Sequence, residues 1–137
     1  MRYWIVVASK DHVARGTASG FVQANHGKQA ALKRMAADDW LICYSPKQTF
    51  AGNELCQAFT AIGQIADDKI YQHQMTDTFI PFRRNVKYYE SIDAPIVPLI
   101  EDLDFIPNKK SWGYPFRFGF LEISEHDFNL IKSKMIS

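Results

Sequence analysis

The chain has 137 residues, close to the commonest size of a single folded domain. Its 47% hydrophobic and 23% charged content, with 7 Gly and 6 Pro, excludes a disordered, collagen-like or low-complexity protein. Sixteen Lys and Arg against fifteen Asp and Glu leave a net charge of +1, so any grip on nucleic acid has to rest on a local patch and a pocket.

Tyr3 to Ala8 reads as a central strand, apolar on both faces and rich in β-branched and aromatic residues. Ser9 then offers a cap for a helix over Lys10 to Ala18, which Gly20 ends. Phe21 to Gly27 is irregular, and a helix is expected over Lys28 to Ala37, with Leu32, Met35 and Ala36 on one face. Asp39 to Ser45 is a second strand, stopped by Pro46. Leu55 to Ala66, Phe79 to Glu90 and Phe116 to Ile123 complete a set of five strands. Ser124 opens a last helix as a Ser-x-x-Asp capping box with Asp127, with Phe128, Ile131 and Met135 inward. Five strands with short helices at ends and crossings give an α+β protein, closed as a small mixed barrel that hides its edges.

Catalytic signatures are weak. No nucleophile elbow, phosphate loop or zinc-protease motif occurs, and the four histidines have no metal-ligand spacing. Cys43 and Cys56 sit in apolar runs and read as buried free thiols. No metal and no cofactor is expected. The longest apolar stretch, Trp4 to Ser9, is too short to span a bilayer and no signal peptide follows Arg2, so a cytosolic protein is expected.

The fourth strand is more informative. Alternation groups Phe82, Arg84, Val86 and Tyr88 on one face, and Arg83, Asn85, Lys87 and Tyr89 on the other. Arg83 and Lys87 thus lie on a basic, polar face, while Arg84 either pairs inside or lines a cavity, because a lone buried charge is costly. Aromatics lie at strand ends or in loops at Trp4, Phe21, Tyr44, Trp112 and Tyr114. Such flat rings, with nearby amides and hydroxyls, suit a flipped base. Trp112, followed by Gly113, is either a plug over the core or one wall of such a slot.

The ordered motifs resemble the EVE domain family. They run WIVVAS with His12, Gly20-Phe21 with Gln23, Gly27-Lys28, Leu32 with Arg34-Met35, Tyr44 to Lys47, and Phe59 to Gly63. They continue with Phe79, Pro81, Arg83-Arg84, Val86 and Tyr88, then Leu99 to Ile106, Trp112-Gly113, and Arg117 to Phe128. The resemblance covers essentially the whole chain and implies one domain over residues 1–137, a PUA-like pseudobarrel related to ASCH and YTH domains. One departure stands out: Asp38-Asp39 replaces the usual Gly-Asp before the second strand.

The resemblance further implies recognition of a modified base in nucleic acid, a modified cytosine in DNA or a modified RNA base. Motif order places Ser9, Phe21, Gln23, Asn25, His26, Gly27, Lys28, Tyr44, Ser45, Arg84 and Trp112 around the base pocket. Lys47, Arg83, Lys87, Lys109 and Lys110 are the expected phosphate contacts. The rival reading is an ASCH-like enzyme hydrolysing a modified nucleoside, in which Lys28 would act with Glu54 or Glu122.

Overall fold

β1 (Tyr3–Val7) lies between β3 (Trp40–Lys47), to which it is parallel, and β7 (Phe120–Ile123), to which it is antiparallel. β3 pairs with the long β4 (Leu55–Gln72), β4 with β5 (Phe82–Tyr88), and β5 with β2 (Phe21–Val22), all antiparallel. β6 (Ala94–Pro95) adds a short rung to β4. This computed structural model describes residues 1–136. The order β2-β5-β4-β3-β1-β7 leaves two ends that no ladder joins. The α+β class holds, but the expected five-strand barrel is corrected to an open, mixed sheet of seven strands. Both added strands, β2 and β6, have only two residues, too short for an alternating pattern to show. The terminal strands β2 and β7 are short, which limits the edge available for pairing with another chain.

Alternation along β1 distributes the core. Ile5 joins Ile42, Tyr44, Phe59 and Ile62 on one face, where Phe128, Ile131 and Met135 of α3 (Glu125–Met135) pack. Trp4 and Val6 join Leu41 and Ile65 on the other, against Ala31, Leu32 and Met35 around α2 (Ala30–Arg34). α1 (Lys10–Ser19) covers Cys43 and Ala61 through Val13. Among the described residues no helix is long and apolar enough to cross a membrane.

Several boundaries differ from the sequence reading for identifiable reasons. α2 spans Ala30–Arg34 rather than 28–37, because buried Asp39 accepts the Ala36 N–H at 2.9 Å and pulls the chain into a turn. The same carboxylate accepts the Trp4 indole N–H at 3.0 Å and the Arg2 N–H at 3.0 Å. Burial opposes its charge, yet these bonds hold its pKa below the ordinary aspartate value. Asp38 takes φ 73°, the left-handed conformation a glycine would supply there. β3 runs through Pro46 because the β3–β4 register shifts between Ser45 and Lys47, where no ladder donor is needed. Phe116, Arg117 and Phe118, expected to open the last strand, belong instead to a 3-10 turn over Tyr114–Phe118, closed by Gly119 at φ 78°.

Ser124 caps α3, accepting the Asp127 N–H at 3.2 Å. Asp127 does not return the bond to the cap. Fully buried, it accepts the N–H groups of Asp104 and Phe105, each at 2.9 Å, and so ties the preceding loop to α3. His126 completes this latch, with Nδ1 at 2.9 Å from Asp127 and 3.2 Å from Asp104.

β4 and β5 are out of step at their middle. Ile65 pairs with Val86 and Ile70 with Arg84, so residues 66–69 of β4 bulge opposite Asn85. Beyond the bulge the two strands continue as an arm, whose tip turns through hydrogen bonds from His73 N to Pro81 O and Met75 N to Phe79 O.

Candidate functional site

A cleft of about 880 Å3 opens between α1, the segment after it and the arm tip. α1 contributes a stripe at helical spacing: His12, Arg15 with Gly16, and Ser19. Phe21, Gln23 and the turn Asn25–Gly27 form a second wall, and His73, Met75 and Phe79 of the arm a third. Phe50, Arg83, Tyr88, Phe116 and Arg117 also line it, with Cys43 at the floor. The cleft thus has five aromatic rings from Phe and Tyr, three arginines, and no aspartate or glutamate among its lining residues.

The turn Asn25–Gly27 carries three consecutive left-handed residues, at φ 48°, 59° and 83°. Asparagine and histidine hold this conformation at a cost, which tertiary contacts must offset. A Cβ on Gly27 would stand 2.3 Å from Pro81 Cβ, so the turn lies directly against the base of the arm. A Cβ on Gly119 would fall 1.8 Å from Asn25 Oδ1, so the amide of Asn25 occupies the space that Gly119 leaves.

The two adjacent arginines of β5 are both buried, at 8% exposure for Arg83 and 3% for Arg84. Arg84 donates to the carbonyl oxygens of Leu32, Met35 and Asp67, pinning the end of α2 to the β4 bulge. It pairs with main-chain carbonyls and lines no cleft, which closes the alternative left open above. The expectation that Arg83 lies on a solvated face is corrected. Phe21 covers that face, and the Arg83 guanidinium stacks on its ring at 3.7 Å. Arg83 Nε donates to Gln23 Oε1 at 2.6 Å, and its terminal nitrogens have no protein partner among the described residues. Burial lowers its pKa from the ordinary guanidinium value.

Two further groups shape the polarity. Ser9 Oγ donates to Asp11 at 2.5 Å instead of capping α1. His12 stacks on Phe50 at 5.1 Å, and burial, reinforced by nearby Arg15, holds its pKa below 6.5. It is therefore neutral at pH 7, able to donate at one ring nitrogen and accept at the other. Burial pushes the Cys43 thiol up to about 12, which leaves it inert as a nucleophile.

Of the residues expected at the pocket, the structure brings Ser9, Phe21, Gln23, Asn25, His26 and Gly27 together. Lys28, Tyr44, Ser45, Arg84 and Trp112 do not line this cleft. Ser45 is fully buried against Thr60, with the two hydroxyl oxygens 2.7 Å apart. Tyr44 is buried and stacks on Phe116 at 4.0 Å, while half-buried Trp112 lies in a second, smaller concavity. Among the expected phosphate contacts, Lys87 and Lys110 are exposed. Lys47 Nζ donates to Phe50 O at 2.8 Å and Lys109 Nζ to Leu103 O at 2.9 Å. Lys28, Glu54 and Glu122 do not meet in the cleft, and Glu122 is ion-paired with Arg2 at 2.8 Å.

The sequence reading missed His12, Arg15, Phe50, Phe79 and Arg117. The α1 stripe was available in the helical spacing of residues 12, 15, 16 and 19. Phe50 and Phe79 carry no local signal, because only tertiary folding brings their loops to the cleft.

The family model described as the EVE domain matches residues 2–134. A UPF0310 protein of Mycolicibacterium gilvum is 52% identical over 135 residues, covering 98% of this chain and 96% of that one. Among solved structures, Rpa0253 from Rhodopseudomonas palustris matches with TM-score 0.57 at 14% identity, over 98% of this chain and 92% of that one. The YTH domain-containing protein mmi1, in a complex with RNA, matches with TM-score 0.59 at 13% identity, over 97% and 80%. At these identities the solved structures are similar in fold.

Proposed function

Since the chain belongs to the EVE domain family, we propose that it is a nucleic-acid-binding module that holds one extruded, modified base in the main cleft. One observation carries the reading: the cleft joins aromatic faces to the free terminal donors of Arg83 and Arg117 and lacks lining carboxylates, while Arg15 pairs with Asp11 at 3.9 Å outside the lining. Aromatic rings stack on a base whatever its identity, and fixed polar groups then read its edge. Arg83, held by Phe21 and Gln23, offers two oriented donors to an acceptor pair. Neutral His12 and the amides of Gln23 and Asn25 supply further edge contacts. Arg15 on the lining, with Lys28 and the exposed Lys87 outside it, is assigned to flanking phosphates, in keeping with a cytosolic partner of DNA or RNA. The RNA seen with the structurally similar YTH-domain protein supports the class of ligand. A methyl-sized modification adds only about 1 kcal/mol of apolar contact, so discrimination requires a shaped slot and a penalty for the wrong edge.

The test is fluorescence anisotropy on paired oligonucleotides. The panel contains single-stranded DNA with cytosine or methylcytosine, and single-stranded RNA with adenine or methyladenine. One modified strand is expected to bind more tightly than its unmodified twin, and Arg83→Ala to abolish the difference. Lys87→Ala is expected to weaken every strand alike and lower the salt slope by about one. Equal binding of all modified and unmodified pairs would remove modified-base recognition, and no binding at all would remove the nucleic-acid reading.

A further inference from the structure

The main cleft leaves a second concavity unexplained. It measures about 640 Å3 and is walled by Trp112, Tyr114 and Tyr44, with Lys110 also on its lining. Two residues, Phe116 and Arg117, line both this concavity and the main cleft. The Phe116 ring lies 4.0 Å from Tyr44 at an interplanar angle of 14°, so the partition is a stack of two rings. Nothing lies within 4 Å of where a Cβ on Gly113 would stand, which leaves open space beside Trp112. Arg117 is exposed, 5.5 Å from the Tyr114 ring, and makes no hydrogen bond or ion pair among the described residues.

We propose that this concavity is the slot for the nucleotide next to the one in the main cleft, and that Arg117 neutralises the phosphate joining the two. The inference rests on the proposed reading of the main cleft. Extruding one base exposes the stacking face of its neighbour, and an aromatic platform replaces the lost contact. Two adjacent nucleotides share one phosphate, so the strand must carry a negative charge across the wall between their slots. Among the described residues, the only cation common to both slots is Arg117. Its lack of an internal partner leaves the guanidinium available for that contact, and Lys110 suits the next phosphate along.

The test uses the tightest-binding strand of the panel above, in three forms. One is intact, and the others carry an abasic residue on the 5′ or the 3′ side of the modified base. One of the two abasic strands is expected to bind the parent protein roughly ten-fold more weakly. In Trp112→Ala that penalty should vanish. Tyr114→Ala gives the same reading at a residue 55% exposed, which keeps the test if Trp112→Ala unfolds. Arg117→Gln should lower the salt slope by about one. Equal binding of intact and abasic strands by the parent overturns the second slot while leaving the main cleft intact. An unchanged salt slope in Arg117→Gln overturns the phosphate contact, and failure of every strand to bind overturns both readings together.

Discussion

Arg83 and Arg84 are neighbours in sequence with opposite duties. Arg84 donates to three carbonyl oxygens, at α2 and at the β4 bulge; Leu32 O also accepts the Met35 N–H at 3.3 Å, so the loss of Arg84 falls on the Met35 and Asp67 oxygens. Each orphaned acceptor costs about 1–3 kcal/mol. Arg84→Met is therefore expected to destabilise by about 3 kcal/mol or more, with a matching fall in denaturation midpoint. Arg83→Met removes the stack on Phe21 and the bond to Gln23 but leaves an apolar chain in their place, and should lose about 1 kcal/mol or less. Equal midpoints for the two variants would contradict the assignment. Alternation showed that the two arginines face opposite ways. What it could not show is that both faces of β5 are covered, since the cover on the Arg83 side comes from β2, a strand of two residues.

At the level of elements, the cleft depends on a turn that is costly by itself. Three left-handed residues in a row persist because Gly119 and Pro81 hold them from two sides. Gly119→Ala introduces a Cβ at 1.8 Å from the Asn25 amide in a backbone conformation that L residues avoid. We expect it to cost about 1–3 kcal/mol and to weaken ligand binding beyond that stability loss, because Asn25 must leave the cleft wall. Gly27→Ala should behave alike, through the base of the arm. Amide hydrogen exchange should show faster exchange confined to residues 23–28 and 79–81; faster exchange spread evenly over the sheet would mean that the turn is not the point of failure. Strands β1, β3 and the cap of α3 were legible in the sequence because their residue types repeat with the right period. The arm was not, since β4 keeps hydrogen bonding past Ala66 with polar residues on both sides.

Across the whole molecule, pH acts through two histidines of opposite sign. The hydrogen bond to Asp127, with help from Asp104 and Asp102, raises the pKa of His126 above 6.5. Its stabilisation is complete below 6.5 and is lost as pH rises through the folded value. Burial lowers the pKa of His12, so its contribution is undiminished above 6.5 and declines as pH falls below it. The thermal midpoint should accordingly peak near 6.5. His126→Gln should flatten the alkaline side and His12→Gln the acid side, as followed by melting curves over that range. A parent profile with no slope on either side would sink both assignments. The near-neutral net charge directs attention from the whole surface to a local site. The lining arginines come from α1, β5 and the turn before β7, and that convergence is a property of the fold, invisible in any one stretch of sequence.

Cys43 gives this architecture a built-in clock. Its thiol lies at 3% exposure under the cleft and ionises only near 12, so an alkylating reagent at neutral pH reaches it when the centre of the sheet opens. In a Cys56→Ser background, the labelling rate of Cys43 therefore times that opening by mass spectrometry. A compound that binds only the closed cleft slows the clock by a factor of one plus its concentration over Kd. Mixtures of nucleosides, nucleotides or oligonucleotides are thus ranked by how long they delay a single covalent event, before the preferred ligand has been identified.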